Sequence, residues 1–433
     1  MTTEKDDYQH WYAGISRYQW IVLCIAGLGW MFDVMEGQLF LLFKTPAIAD
    51  LLNVGETDVA VDWFGNVGFA SFLFGGAFGG LLFGMLADRF GRRQAMVWSI
   101  LTYSGFTGLH FFASNPWHIV GLRFFVAMGV AGEWAIAASL VAETFPPKSR
   151  AIAGAIFQAF GILGVMLAAG MGIALSGSIS DWRPAFLVGV LPALLVVWVL
   201  VTIRESERWV SATSGEADDS TPKRKSGSLW ELLTVSQWRN RALIGLGLAA
   251  VALGSYWAIN AWTPELVREV LGDSVSDEES RKAATYAYLL MNITGGLIGQ
   301  LAFAPITMLT GRRVAFAFYM VGAMVMVPIT FLGASTHFQT LVFMSIMGFF
   351  VIGMHAGCAI YFPELFPTRL RATGTSLCYN GGRLVSAIML LLRGELREML
   401  GLRWAVSVMS LLFLLGLLFI AIAPETKGKD LPE

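Results

Sequence analysis

Twelve runs of about 20 apolar residues follow one another along the chain, near 19-43, 63-87, 94-113, 117-141, 151-176, 184-203, 241-268, 284-310, 314-333, 339-363, 373-392 and 403-423. A run of that length crosses the hydrocarbon of a bilayer as a helix, because a helix satisfies all its backbone polar groups internally where water is absent. The chain therefore reads as an all-α membrane protein with twelve transmembrane helices. Charged residues make up only 14% of it, against roughly 25% in soluble domains, and its mean hydropathy is +0.62, so lipid is the solvent it is built for.

The chain also repeats itself. Ala142-Glu143-Thr144-Phe145-Pro146-Pro147-Lys148-Ser149-Arg150-Ala151 and Pro363-Glu364-Leu365-Phe366-Pro367-Thr368-Arg369-Leu370-Arg371-Ala372 share Glu, Phe, Pro, Arg and Ala in register, 221 residues apart (364 minus 143). Gly91-Arg92-Arg93 and Gly311-Arg312-Arg313 recur 220 apart (312 minus 92). Such duplication predicts two pseudo-symmetric six-helix bundles, as in secondary transporters. Residues 1-203 form the first bundle and 241-433 the second. Between them, 204-240 is a linker whose polar Ser211–Ser220 stretch suits a flexible connection, followed by a possible surface helix over Leu229, Trp230, Leu232, Leu233, Val235 and Trp238.

Several function classes drop out. Net charge is -1, which indicates no nucleic-acid partner, and the basic residues report topology instead. Cys24, Cys358 and Cys378 lie in apolar runs without metal-ligand spacing or a disulfide framework. The polar start lacks the layout of a cleaved signal peptide. The glycines of the second and fifth runs sit inside apolar spans with no Gly-Lys-Ser/Thr after them, so they serve helix packing rather than phosphate binding. No catalytic dyad, metal site or cofactor loop stands out, and an enzyme is not expected. Lysine and arginine split 20 to 8 in favour of the side that holds both termini, which places both termini in the cytoplasm of a cell with the chain in its plasma (inner) membrane.

The loop Gly84-Met85-Leu86-Ala87-Asp88-Arg89-Phe90-Gly91-Arg92-Arg93 resembles the G-x-L-x-D-R-x-G-R-R signature of the major facilitator superfamily. The resemblance implies that fold, with alternating access by rocking of the two bundles. In the second copy Met308 replaces the acid at Asp88, which predicts an asymmetric latch. Pro424-Glu425-Thr426-Lys427-Gly428 and Arg204-Glu205-Ser206-Glu207-Arg208-Trp209 resemble sugar-porter sequences. That likeness implies gating pairs drawn from Glu143, Glu205, Glu364 and Glu425 with Arg89, Arg92, Arg150, Arg312 and Arg371, alongside Asp88; plain topology-setting charge is the alternative for each. Phe32-Asp33-Val34-Met35-Glu36, Met128-Gly129-Val130-Ala131-Gly132-Glu133-Trp134 and Arg371–Arg383 instead resemble aromatic-acid, sialate and other organic-anion symporters. The seventh run keeps only Ile259-Asn260 of the sugar porters' glutamine motif.

A charge inside a membrane costs roughly 2.5 to 3.5 kcal/mol on insertion scales, so each demands a reason. Asp33 and Glu36 lie three apart on one helical face and are the expected proton carriers, with Arg123 as the partner released when Asp33 protonates. A permanent buried ion pair is the alternative. Arg383 has no counterpart in the first half, where the repeat places Ile162, and is expected to grip an anionic substrate through paired hydrogen bonds. Snorkelling, or pairing with Glu133, is its alternative. Gln158, Glu133, Tyr256, Trp257, Asn260, Asn292, Tyr379 and Asn380 are expected to shape the substrate cavity. His355 reads as a buried neutral histidine.

Together these features predict a proton-coupled importer of a small organic anion, a sialate-like sugar acid or an aromatic carboxylate, working as a monomer without cofactor. The alternative is a proton-coupled neutral-sugar symporter, which Gln158 and the Pro424–Gly428 ending favour.

Overall fold

The computed structural model describes residues 11–175, 182–213, 226–272 and 275–433. The polar linker at 214–225 lies outside the described residues. Twelve helical segments of membrane length run α1 (Arg17–Leu52), α2 (Val59–Phe90), α3 (Arg92–Leu109), α4 (Pro116–Thr144), α5 (Pro147–Leu175), α6 (Arg183–Thr202), α7 (Ser236–Leu271), α8 (Glu278–Thr310), α9 (Arg312–Gly333), α10 (His337–Leu365), α11 (Arg371–Leu400) and α12 (Leu402–Ile422). Among the described residues ten are long and apolar enough to span by composition alone, and α3 and α11 are more polar. Several helices outrun their apolar stretches. α1 continues through Pro46 to an Asn53 cap in the left-handed conformation, and α7 passes through Pro264.

Three spans are broken where the apolar pattern predicts continuity. α6 divides into Arg183–Val188 and Ala193–Thr202 ahead of Pro192; α10 breaks at Met354; α12 breaks at Ser410 and Leu411. α8 holds a π-helical stretch at Met291–Leu297. The expected surface helix is short, Leu229–Thr234, capped by Ser228 and tied down by an Arg369–Glu231 ion pair at 2.5 Å.

Packing repeats between the halves. α2 lies on α4 and α1 on α5, just as α8 lies on α10 and α7 on α11. Glycines permit the tightest of these approaches. A Cβ at Gly75 would stand 2.1 Å from the Phe124 carbonyl oxygen, and one at Gly295, its repeat mate, 2.1 Å from that of Ser345. The seam between halves is made by α2 and α4 against α11 and by α5 against α8 and α10. The result is two pseudo-symmetric six-helix bundles.

Candidate functional site

A cavity of about 1060 Å³, counted out to its mouth, lies between the bundles. Asp33, Arg123, Gln158, Tyr256, Trp257, Asn292, Tyr379 and Arg383 line it, with Gln300 and His355. Aromatic rings add to the lining: Trp30, Phe69 and Phe72 face the same space. Three residues expected there are elsewhere. Glu133 lies behind the wall against α1, and Asn260 is buried among helices of the second half. Asn380 is drawn into the seam, where its amide donates to the Ala131 carbonyl at 3.2 Å and to Ser376 Oγ at 3.0 Å.

The cavity wall is braced across the seam. Trp134 of α4 stacks on Tyr379 of α11 with ring centroids 3.6 Å apart, and its indole N–H donates to Gln158 Oε1 at 3.0 Å. Trp30 donates to the Gln158 backbone carbonyl at 3.2 Å. Gln158 is thus held from two sides. The Asn292 amide turns to the Tyr288 carbonyl at 2.9 Å, and His355 meets Tyr256 edge-on at 5.0 Å. Phe69 and Trp257 face each other across the halves at 6.2 Å. Nineteen residues of α2, about 28 Å of helix, separate Phe69 from Asp88, so this aromatic contact stands at the opposite end of the cavity from the Gly91 loop.

The membrane charges pair differently from the sequence expectation. Arg123 binds Glu36, at 2.5 Å, and not Asp33. Its guanidinium is clamped between the rings of Phe40 and Phe72, 4.1 and 4.3 Å from their centroids. α1 and α4 run antiparallel, so the later acid of α1 meets the earlier residue of α4. Asp33, one turn deeper, is left facing Glu133. Arg383 has no acid within ion-pair distance among the described residues; its guanidinium lies 5.0 Å from the Tyr379 ring. It is a half-buried cation lining an aromatic cavity.

At the Gly91 and Gly311 end the halves are locked. Glu143 takes Arg92 of its own half (Nη2 to Oε1 at 2.7 Å, Nε to Oε2 at 3.3 Å) and Arg371 of the other half at 2.7 Å. Asp88 binds Arg92 at 2.9 Å and accepts from the Ala372 and Thr373 backbone N–H groups at 3.1 and 2.9 Å and from Thr373 Oγ1 at 2.6 Å. An acid at the N-terminal end of α11 is the favourable sign for a helix dipole. Arg92 also donates across the seam to the Thr368 carbonyl at 2.7 Å, while Arg371 donates within its own half to that of Pro432 at 3.1 Å.

The second half copies this only in part. Arg312 pairs with Glu364 at 2.8 Å, but Met308 supplies no acid, and Arg150 donates to the Ala142 carbonyl at 3.0 Å without closing on Glu364. The latch is asymmetric, as the degraded repeat implies. Arg89, grouped with Arg92 in the sequence, is exposed and takes no part.

Glu205 and Glu425 also depart from expectation. They do not pair with guanidinium groups; they cap helices. Glu205 accepts the backbone N–H groups of Arg92 and Arg93 at 2.7 and 2.9 Å, and Glu425 those of Arg312 and Arg313 at 2.9 and 3.1 Å. Gly91 and Gly311, at φ +102° and +99°, make the turns that expose those donors. Burial opposes ionisation of Glu425, but the donors from Arg312, Lys427, Arg313 and Thr426 outweigh it and hold its pKa below the usual 4.5. A depressed acid stabilises above its unfolded pKa and loses that contribution as pH falls through the folded value. Glu425→Gln is therefore expected to lower the unfolding temperature at neutral pH, with the difference from the parent shrinking below pH 4.5; equal differences at pH 4 and 7 would contradict the cap.

Aromatic lining was the chief omission of the sequence reading. Trp30, Phe69 and Phe72 carry no motif of their own, and in an apolar helix an inward ring reads like a lipid-facing one. Trp30 lies three residues before Asp33 on α1, which was the available signal for it; Phe69 and Phe72 lie on α2, which brings no charge to the cavity.

A family description, Major Facilitator Superfamily, matches residues 20–307, and a second, Sugar (and other) transporter, matches 252–429. The chain belongs to the Major Facilitator Superfamily. It is 28% identical to a putative metabolite transport protein of Haemophilus influenzae over 96% of this chain and 99% of that one. It is 27% identical to the sialic acid transporter NanX of Escherichia coli, over 86% of each, and 28% identical to the niacin transporter NiaP of Acinetobacter baylyi, over 86% and 85%. Among solved structures, the proton:xylose symporter XylE superposes with a TM-score of 0.73 at 18% identity, covering 96% of this chain and 98% of that one. The chain is a multi-pass membrane transporter of a small molecule and not an enzyme.

Proposed function

We propose that this transporter imports a small organic anion together with a proton, by alternating access of the bundles 1-203 and 241-433 around the central cavity, with both termini in the cytoplasm and the chain in the inner membrane. The observation that carries this reading is Arg383, a cation in the cavity wall without an acid partner among the described residues, opposite the carboxyl of Asp33. A guanidinium there offers two parallel donors to a carboxylate, and an ionised Asp33 competes with that carboxylate for the same charge. Proton first, anion second is the order that removes the competition. Relatives that move sialic acid and niacin, both carboxylates, support the substrate class. The rings of Trp30, Phe69, Tyr256, Trp257 and Tyr379 favour a flat acid such as nicotinate over a heavily hydroxylated one. Neutral-sugar symport is less well supported, since Gln158 already spends its carbonyl groups on Trp134 and Trp30.

The latch of Glu143, Arg371 and Asp88 closes the cytoplasmic end in the state described here. Purified protein in liposomes tests the reading. Adding nicotinate or N-acetylneuraminate outside is expected to alkalinise the outer medium, and xylose or glucose to leave it unchanged. A response to the sugars alone would overturn the anion assignment.

A further inference from the structure

We propose that the coupling proton is held between two carboxyl groups, Asp33 of α1 and Glu133 of α4, so that Glu133 is the second half of the proton site rather than a substrate contact. The proposal rests on the proton-coupled reading above and names its site. Asp33 and Glu133 are 1% and 0% exposed and face each other inside the first half. None of their four carboxyl oxygens has a hydrogen-bond donor among the described residues. Buried polar atoms without partners are rare in folded proteins and call for a missing participant.

Among the described residues no cation is in contact with the pair. Glu36, on the same helix as Asp33, is neutralised by Arg123 of α4. Tyr103 of α3, fully buried, lies with its hydroxyl beside Asp33. Arg383 of α11 acts on Asp33 only from across the cavity. The fit is built into the helices as well. A Cβ at Gly29, one turn before Asp33, would stand 2.2 Å from Glu133 Oε1, so the missing side chain at Gly29 is what lets the glutamate carboxyl settle against α1.

One proton completes this arrangement. A single carboxylic acid donates to the neighbouring carboxylate, turning two unpartnered acceptors into a hydrogen-bonded pair, and like charge at close range prevents both from ionising. Tyr103 is placed to donate to the member left ionised. Only Asp33 also lines the cavity, so it is the member that exchanges the proton with water, and Glu133 is the member that stores it out of reach of the anion. A sodium ion fits less well. It would draw on two carboxyls and one hydroxyl, short of the shell of oxygen ligands that hard cations take.

Infrared titration of the purified protein in liposomes, without substrate, reads the pair directly through the C=O stretch of a protonated carboxyl. The parent protein is expected to keep that band at neutral pH and lose it in alkali as one proton. Glu133→Gln is expected to move the loss toward acid by about one pH unit or more, that is, at least tenfold weaker proton binding, because the like charge is gone. Asp33→Asn reads the same pair from the other side should Glu133→Gln fail to fold, and the double variant should lack the band. A midpoint unmoved in a folded Glu133→Gln protein, or a band discharged by sodium at constant pH, would overturn the proposal. The transport reading fails separately. Anion-driven alkalinisation with an unmoved midpoint removes only Glu133, whereas a normal titration with silence toward every anion removes the coupled import and leaves the proton pair standing.

Discussion

Arg383→Gln is expected to weaken binding of the carboxylate substrate by roughly thirtyfold or more while the helices still assemble. The guanidinium has no acid partner in the described protein, so removing it strands no carboxylate in the core, and the loss falls on the ligand. Losing one side of a buried charge-assisted pair costs about 2 to 5 kcal/mol, an increase in Kd of roughly thirtyfold to several thousandfold. Arg383→Lys keeps the charge but loses the planar fork, and about a tenfold loss is expected. Trp30 and Trp257 line the same cavity, so quenching of tryptophan fluorescence by nicotinate measures both variants. Parent-like affinity in Arg383→Gln would remove the anion grip from the site. A loss confined to Arg383→Gln, with Arg383→Lys unaffected, would leave charge alone as the recognition.

The fold was legible because each of its determinants is local. Apolar runs of bilayer length, the repeated Gly-Arg-Arg corners and the repeated Glu-containing loops are each read within a few residues, and they led to the helices and to Asp88, Arg92, Glu143 and Arg371, which meet at the seam. The pairings within the latch and cavity depend on depth, which a sequence does not state. Asp33 and Glu36 share a helical face, and Arg123 reaches either; the antiparallel run of α1 and α4 decides for Glu36 and leaves Asp33 to Glu133. Arg89 and Arg92 look alike in the motif, yet three residues of helix and a glycine turn put one in water and the other at the centre of the seam. The breaks in α6, α10 and α12 were illegible for a related reason. A turn of altered hydrogen bonding leaves the apolar pattern intact, so only Pro192 hinted at one of them.

Glu143→Gln is expected to open the latch, and its repeat mate Glu364→Gln is expected not to. Glu143 is buried and serves two guanidinium groups, Arg92 in its own half and Arg371 in the other. Arg371 has no second acid within ion-pair distance among the described residues, so the variant leaves a buried cation unmatched only while the seam is closed. Breaking a buried pair in this way costs about 3 to 5 kcal/mol. The Arg92 contact stays within one bundle and is made in either state, so part of that cost cancels. A bias of about 2 to 4 kcal/mol toward the open latch remains, and an equilibrium shift of thirtyfold to nearly a thousandfold follows. Among the described residues Glu364 pairs only with Arg312 and Thr426 of its own half, and Arg150 does not close on it. Its loss lowers stability without favouring either state. Spin labels at Gln94 and Val314, both exposed near the two Gly-Arg-Arg corners, report the separation of the bundles. A longer interspin distance is expected in Glu143→Gln and the parent distance in Glu364→Gln. Equal opening in both would mean that the latch is symmetric in function despite Met308, and that the cross-seam bond from Arg371 is not what holds this end shut.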